Sequence, residues 1–535
     1  MLFFSFNFDD KLGAKICFRV LTKLDKKQKN ETKIKRRATI LKKGKRRMKY
    51  ILTIDEGTTS LRAILFDVKK GEFARVEQMP FKQYFPKPAW VEHDAEEIWE
   101  KTKKCLEKVM EGIDPKEVYG IGITNQRETA VCWSRKTGKA LYHAIVWQCR
   151  RTSKLCEKLK KSTKSNTIKS KTGLIPDAYF SATKYKWLLD NVEEVASALK
   201  RDDLCFGTIE SFLVYKLTGG KSFVSDITNA SRTMLFNIKT LTWDDYLLKL
   251  FNIPLSTLPK VVDNDDVVGE CTLFGGKIKV AGLIGDQQSS LFGQGCFDKG
   301  MAKNTYGTGC FMLVNTSKDR VSSKHGLLTT IGYKVDGRLC YALEGSVFNA
   351  GCVVDWAIDN LGIAKNPKEL TDLATDLKSN DGVYLVPAFT GLGTPYWDME
   401  ARGLLCGLTR GTDKRHIARA VLEGMAYSTY DVLKTVEKDA KMKVRVLHVD
   451  GGASVNEFLM QFQSNLIQKK LERFNKESTC MGAIFMTGLA TGAYKNLADI
   501  RSRIKSERIY LPNCDEEDVK PLLKGWKNAI NRTLD

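Results

Sequence analysis

IKVAGLIGDQQSSLFGQGCFDKGMAKNTYGTGCFMLV, residues 278–314, decides how this 535-residue chain is read. An apolar run ends at Gly285-Asp286-Gln287. A strand that stops there delivers a carboxylate to the rim of a sheet, where α/β proteins place their ligands. SSLFGQG then predicts a short helix with a glycine stop. An apolar hairpin follows, broken by Tyr306-Gly307-Thr308-Gly309. Its glycines free backbone N–H groups and Thr308 adds a hydroxyl, which is the chemistry a phosphate needs. The carboxylate and this nest lie 22 residues apart. A strand-capping aspartate and an ordinary hairpin turn account for either piece taken alone.

Outward from this stretch, YILTIDEGTTSLRAILFD at 50–67 has the same form: apolar strand, Gly-Thr turn, apolar strand. Its first strand ends in Asp55, its turn is Glu56-Gly57-Thr58-Thr59-Ser60, and its second strand carries Arg62. Two such hairpins about 250 residues apart suggest a duplicated architecture with a phosphate between the halves. Two unrelated hairpins would give the same pattern. VYGIGITNQRETAVCW, 118–133, is strand-like around a polar turn. Neighbours on a regular strand face opposite ways, so Arg127 and Glu128 reach one small ligand only at a strand end. Otherwise they are a surface ion pair. Trp147 and Tyr179 read by default as packing residues. Residues 151–217 predict mainly helix, and SDITNASRTMLF at 225–236 a polar loop. Further on, helices are expected at 346–362, 367–378 and 414–440. A strand running into a Gly/Pro loop is expected at 383–398, and strand, Gly-Gly turn and helix at 444–467. The small-residue stretch 481–492 predicts a helix suited to close packing.

The length suits two large domains. A hydrophobic fraction of 43% and a charged fraction of 28% are those of an ordinary globular chain. The 14 cysteines include no C-x-x-C pair, give no metal-site spacing, and suit a reducing cytoplasm. No apolar run approaches the ~20 residues that span a bilayer. The net charge of +23 is unevenly spread: residues 1–47 carry 16 basic and 4 acidic side chains, the other 488 residues 70 and 59. Mixed signs on the body read as a solvated surface, and no motif points to a specific nucleic-acid partner. MLFFSFNF is too short for a signal sequence and is followed by Asp9-Asp10. Residues 1–47 are therefore expected to form a disordered, dispensable leader, either a transit peptide or text ahead of a start at Met48.

Three elements in this order, D-x-G-T-T-S, Y-G-T-G and D-G-G-A, resemble the sugar-kinase branch of the actin/hexokinase-like superfamily. The text between them is more specific. KPAWVEHDAEEIW (87–99), GITNQRET (122–129), AIVWQCRRT (144–152), VPAFTGLGTPYWD (386–398) and VDGGASVNEFLMQFQSN (449–465) resemble the glycerol kinases of the FGGY carbohydrate kinase family. The resemblance covers roughly 48–530. It implies an α/β fold of two ribonuclease-H-like domains, mixed sheets flanked by helices, with the active site in the cleft between them. The first, about 48–295, would bind polyol and phosphate; the second, about 296–527, nucleotide. The implied reaction is phosphorylation of glycerol by ATP with Mg²⁺, giving sn-glycerol 3-phosphate, in a homodimer or homotetramer.

Roles carry over residue by residue. Asp286 matches the general base, and Arg127, Glu128, Tyr179 and Gln287 the groups that bond polyol hydroxyls. Trp147 and Phe311 match the apolar wall over the carbon backbone. Thr58, Thr59, Ser60 and Arg62 match the first phosphate hairpin, Gly307 and Thr308 the second, and Asp55 the Mg²⁺ carboxylate. Gly351, Gly452 and Asn456 match the adenosine side, where Asp355 stands in place of a nucleotide-contacting Gln. Other departures are Glu56 where Gln is frequent, Glu210 and Phe212 where Asp and Trp are usual, and a 473–480 segment without the usual Pro. A kinase for a larger sugar and an actin-like ATPase are the competing readings. Arg127-Glu128 with Trp147 and Tyr179, a small-polyol set, speaks against both. Some members bind fructose 1,6-bisphosphate at a Gly-Gly-Thr-Arg loop, and others are phosphorylated on a histidine. Here Gly275-Gly276-Lys277 runs straight into the next strand, and no His lies between His143 and His325. Insensitivity to both controls is expected.

Overall fold

The computed structural model describes residues 48–474 and 477–534. The expected leader, 1–47, lies outside the described residues, as do Asn475 and Lys476 of the 473–480 segment. Two mixed sheets share one plan. In the first, β1 (Tyr50–Glu56) and β2 (Ser60–Asp67) form an antiparallel hairpin and β3 (Glu72–Pro80) pairs on the far side of β2. Strand β4 (Val118–Asn125) lies parallel to β1. Beyond it, β5 (Val267–Cys271) pairs antiparallel with β6 (Ile278–Gly285), and β6 runs parallel to β4. The order is β5-β6-β4-β1-β2-β3. Ile51, Leu52 and Ile54 on β1, and Ile121 and Ile123 on β4, are all buried, as central strands covered on both faces require. The outer strand β3 exposes charged side chains, which discourages further pairing.

The second sheet repeats the plan. Its hairpin is β7 (Met301–Tyr306) with β8 (Cys310–Ser317). A further hairpin, β9 (Leu328–Val335) and β10 (Arg338–Val347), pairs onto β8 through β10. Strand β11 (Val446–Asp450) lies parallel to β7, followed by β12 (Leu471–Arg473) and β13 (Arg508–Tyr510). Both Gly-Thr hairpins are thus the first two strands of their sheets, the duplication expected from the sequence.

Helix α1 (Ala95–Met110) is capped by Asp94, which accepts from the Glu96 and Glu97 N–H groups, and packs on β2. Residues 153–217 supply five helices around the strand Leu204–Gly207. The segment 225–236 is not a surface loop. Asp226 caps a one-turn helix, Ile227–Ala230, and Thr228, Asn229 and Arg232 are fully buried. Its polar side chains bond to one another and to Asn125, Glu128 and Glu344, which lets polar text sit inside. Helix α2 (Asp286–Gly293) follows β6 with no loop between. The helix expected at 346–362 is shorter, because β10 runs to Val347 and α3 (Gly351–Asp359) starts after a turn. Then come α4 (Pro367–Thr375), α5 (Lys414–Ala440, as expected), α6 (Glu457–Ile467), α7 (Ser478–Thr491) and α8 (Glu516–Thr533).

Helix α7 follows the second sheet's β12 in the chain, yet it packs back on β1, β4 and β6 of the first sheet and against α2. The small residues make this possible. A Cβ at Gly482 would lie 1.9 Å from the Ser289 carbonyl oxygen, and one at Gly293 2.0 Å from that of Ser478. A shared core joins the halves here: Ile284 and Phe292, Tyr333 and Cys340, and Ile484 and Phe485 pack together. Among the described residues no helix is long and apolar enough to cross a membrane.

Candidate active site

Asp286 sits at the junction of β6 and α2. Its Oδ1 accepts the Gln287 backbone N–H at 2.7 Å and faces Arg127 Nε at 3.1 Å. Burial raises its carboxyl above the ordinary aspartate value, with Arg127 opposing. A Cβ on Gly285 would lie 2.8 Å from the Arg127 side chain, so glycine there makes room for the arginine.

Strand β4 ends at Asn125, which puts Arg127 and Glu128 past the strand end, where both can face one ligand. Glu128 is left-handed at φ 62°, and its carbonyl accepts from Ser181 Oγ at 3.0 Å and Lys184 Nζ at 3.2 Å. Arg127 forks onto Glu344 of β10, Nη1 to Oε2 at 2.8 Å and Nη2 to Oε1 at 3.1 Å. Arg232 donates from Nη2 to Glu344 Oε1 at 2.9 Å and from Nε to Glu128 Oε1 at 2.5 Å. The four side chains are a buried network of alternating charge that ties the two halves together. Burial disfavours the Glu344 carboxylate, but Arg127 and Arg232 outweigh it and hold the carboxyl down at about 2.

The Tyr179 hydroxyl accepts from Arg127 Nη2 at 3.4 Å. Its ring meets Trp147 edge-on, centroids 5.6 Å apart, and Trp147, Tyr179 and Phe311 line one cavity of about 70 Å³. Trp147 Nε1 donates to Thr58 Oγ1 at 3.1 Å, which links the aromatic wall to the first Gly-Thr turn. That turn is closed by Gly57 N–H to the Ser60 carbonyl at 3.0 Å. Arg62 is the cross-strand partner of Asp55 and donates to its Oδ2 from Nη2 at 2.6 Å and Nε at 3.2 Å. Its Nη1 reaches Glu477 at 2.6 Å.

The second Gly-Thr turn is docked on the start of α3: Ala350 N–H donates to the Thr308 carbonyl at 2.8 Å and Gly351 N–H to that of Gly307 at 2.9 Å. Gly307, Thr308, Gly351, Asp355, Gly452 and Asn456 all line a single cavity of about 590 Å³. A Cβ on Gly452 would meet nothing within 4 Å, so that backbone is open to a ligand. Asn456 caps α6 through Oδ1, accepting the Leu459 N–H at 2.9 Å, and its Nδ2 donates to Thr371 at 2.8 Å.

Among the described residues no group of three or more His, Cys, Asp or Glu forms a ready metal cage. Mg²⁺ needs no such cage: it is a hard ion that keeps several waters and takes one or two carboxylates beside substrate phosphates, a demand a single side chain such as Asp55 can meet. Glu56 is a mild departure from Gln. It is fully buried, accepts from Gln126 Nε2 at 2.7 Å, and burial raises its carboxyl well above the ordinary glutamate value, with Gln126 opposing.

Four side chains escaped the sequence reading: Lys184, Arg232, Lys303 and Glu344. Each is fully buried. The signal for Lys303 and Glu344 was a lone charge in the interior of a strand, which must be paired to be tolerated when buried.

Residues 50–293 match the sequence model of the FGGY family of carbohydrate kinases, N-terminal domain, and residues 302–491 that of its C-terminal domain. The chain belongs to the FGGY family. This FGGY kinase is 50% identical over 492 residues to glycerol kinase 2 of Thermotoga maritima, spanning 91% of this chain and 99% of that protein. It is 50% identical over 491 residues to a glycerol kinase of Bacillus cereus, with the same coverage of both chains. The structure of Plasmodium falciparum glycerol kinase with ADP superposes with a TM-score of 0.87 at 37% identity, covering 91% of this chain and 99% of that one. Xylulose kinase from Lactobacillus acidophilus gives 0.82 at 24% identity, covering 90% and 99%, a likeness of fold alone. The two-domain FGGY fold expected from the sequence is the fold observed.

Proposed function

We propose that this FGGY kinase transfers the terminal phosphoryl group of ATP to glycerol, yielding sn-glycerol 3-phosphate and ADP. The observation that carries the reading is the hydrogen-bonded set Asp286, Arg127, Gln287 and Tyr179 beside the Trp147–Phe311 wall. A polyol needs donors, acceptors and an apolar cover together, and a site that bonds each hydroxyl rejects analogues lacking one. Half of the residues shared with proteins named glycerol kinase, across nearly the whole length, supports the same substrate.

Asp286 takes the proton of a terminal hydroxyl as that oxygen bonds to the γ-phosphorus and the bond to the ADP oxygen breaks. Arg127 and Tyr179 donate to hydroxyl oxygens, Glu128 accepts from a hydroxyl, and Trp147 and Phe311 cover the carbons. Phosphoryl transfer is mainly positioning and charge stabilisation. Thr58, Thr59, Ser60 and Arg62 on one turn and Gly307 and Thr308 on the other hold the phosphates. Gly351, Asp355, Gly452 and Asn456 receive the adenosine. Asp55 would hold Mg²⁺ through water; when bound, the ion neutralises phosphate charge. Approach of the halves, 48–295 and 296–527, excludes water, the competing acceptor. The reading extends to a dimeric or tetrameric cytoplasmic enzyme that feeds glycerol catabolism and glycerolipid synthesis.

The test is ADP release by the purified protein with ATP and Mg²⁺, alone, with glycerol, and with D-xylulose. Strong stimulation by glycerol only is expected. Stimulation by xylulose, or by neither, sinks the proposal.

A further inference from the structure

Lys303 lies on β7, the first strand of the second sheet, and is fully buried. Its Nζ donates to Gln287 Oε1 at 2.5 Å and to Thr305 Oγ1 at 3.0 Å. Gln287 is on α2 beside Asp286, so this contact reaches from one half of the chain into the acceptor side of the other. A glutamine amide has two ends of opposite character, and an ammonium can donate but not accept. With its oxygen held by Lys303, Gln287 turns its NH₂ group toward the cleft, and Nε2 lies 3.3 Å from Asp286 Oδ2.

The charges that face Lys303 come from several elements. They are Asp286 on α2, Asp450 on β11, Glu344 on β10 and Arg127 past β4, with the thiols of Cys296 and Cys310 nearby. Burial lowers the amine to about 8, with Asp450 and Asp286 opposing the loss of its charge. The ammonium is therefore the main form at neutral pH. Lys303 in turn pulls the Asp286 carboxyl down against burial.

Building on the glycerol reading, we propose that Lys303 is a positioning residue that aims the Gln287 N–H groups at the acceptor hydroxyl and keeps a positive charge beside Asp286. The hydroxyl oxygen then accepts from Gln287, which leaves its proton directed at Asp286. Lys303 touches neither substrate nor the transferred phosphoryl; it acts through two neighbours.

Lys303→Met, Lys303→Arg, Gln287→Ala and the Met/Ala double variant, all in the full chain, test this by steady-state kinetics against pH. For Lys303→Met the glycerol KM is expected to rise about tenfold while the ATP KM stays within about twofold. The acid limb of kcat/KM is expected to move up by at least about half a pH unit, because a cation beside the base is gone. Lys303→Arg restores the acid limb but not the glycerol KM. The double variant raises the glycerol KM no further than Gln287→Ala alone, since the lysine acts on KM through that amide. An unmoved acid limb in the Met variant, or KM effects that simply add, overturns the role. If the Met variant does not fold, a wild-type glycerol KM in Lys303→Arg overturns it instead. Wild-type protein without glycerol-dependent ADP release overturns the glycerol reading and this role together.

Discussion

Glu344 meets two arginines that come from 217 and 112 residues away in the chain. Removing one member of a buried ionic network leaves uncompensated charge, so Glu344→Ala is expected to cost about 3–5 kcal/mol. A urea midpoint equal to wild type would show that the network is not stabilising the join. Asp286 carries the other residue-scale expectation. Asp286→Asn should lower turnover by roughly 10²-fold or more while calorimetry still detects glycerol binding. The proposed base works only when ionised, and burial raises its carboxyl. As pH falls, wild-type kcat/KM should therefore drop through a value above the ordinary 3.8. An acid limb at or below that value contradicts the assignment. Asp286, Arg127 and Glu128 were singled out in the sequence because they stand at or just past strand ends, though local text alone left Arg127 and Glu128 open as a surface ion pair and their proposed roles came from the family resemblance. Glu344 and Arg232 were not, because their partners are distant in sequence and nothing local announces them.

The crossing of α2 and α7 is the element that places Asp286, the proposed base. Asp286 opens α2, and α2 lies so close to α7 that the Ser289 carbonyl occupies the space of a Gly482 side chain. Gly482→Ala should force the helices apart and destabilise the protein by about 1–3 kcal/mol, the usual cost of overpacking. Turnover should fall as well, since Asp286 moves with its helix. Unchanged melting temperature and turnover would mean that the crossing gives way without moving the base. The run MGAIFMTGLATG announced a closely packed helix, but not its partner. Local text records how near a neighbour comes, not which neighbour it is. The 225–236 segment differed for the opposite reason: polar residues read as a loop, yet a one-turn helix and hydrogen bonds to one another and to distant side chains hold them inside.

At the scale of the whole molecule, two copies of one sheet plan are joined by α7, by the Arg–Glu network and by the Lys303–Gln287 contact. The duplication was legible because each copy begins with the same Gly-Thr hairpin; the return of α7 was not. Control of such a molecule by a remote effector needs a built site, and the β5–β6 turn is where one would stand. Here that turn is short. Gly275 is left-handed at φ 73°, and a Cβ on Gly276 would lie 2.7 Å from Pro115, so the turn is packed down on its neighbour. Lys277, the residue best placed to attract a phosphate, is already 3.1 Å from the Glu270 carboxylate. A lysine is also a point charge without the fork that holds phosphate in two places. A bisphosphate approaching this turn would meet Lys277 already engaged and, across from Lys279, the repelling Glu270 carboxylate. The kinase is therefore expected to be insensitive to fructose 1,6-bisphosphate, its rate following substrate and product levels. Titrating the bisphosphate into the glycerol-dependent assay should leave the rate unchanged. Saturable inhibition in the sub-millimolar range, not relieved by raising ATP, would show that a site exists despite this geometry.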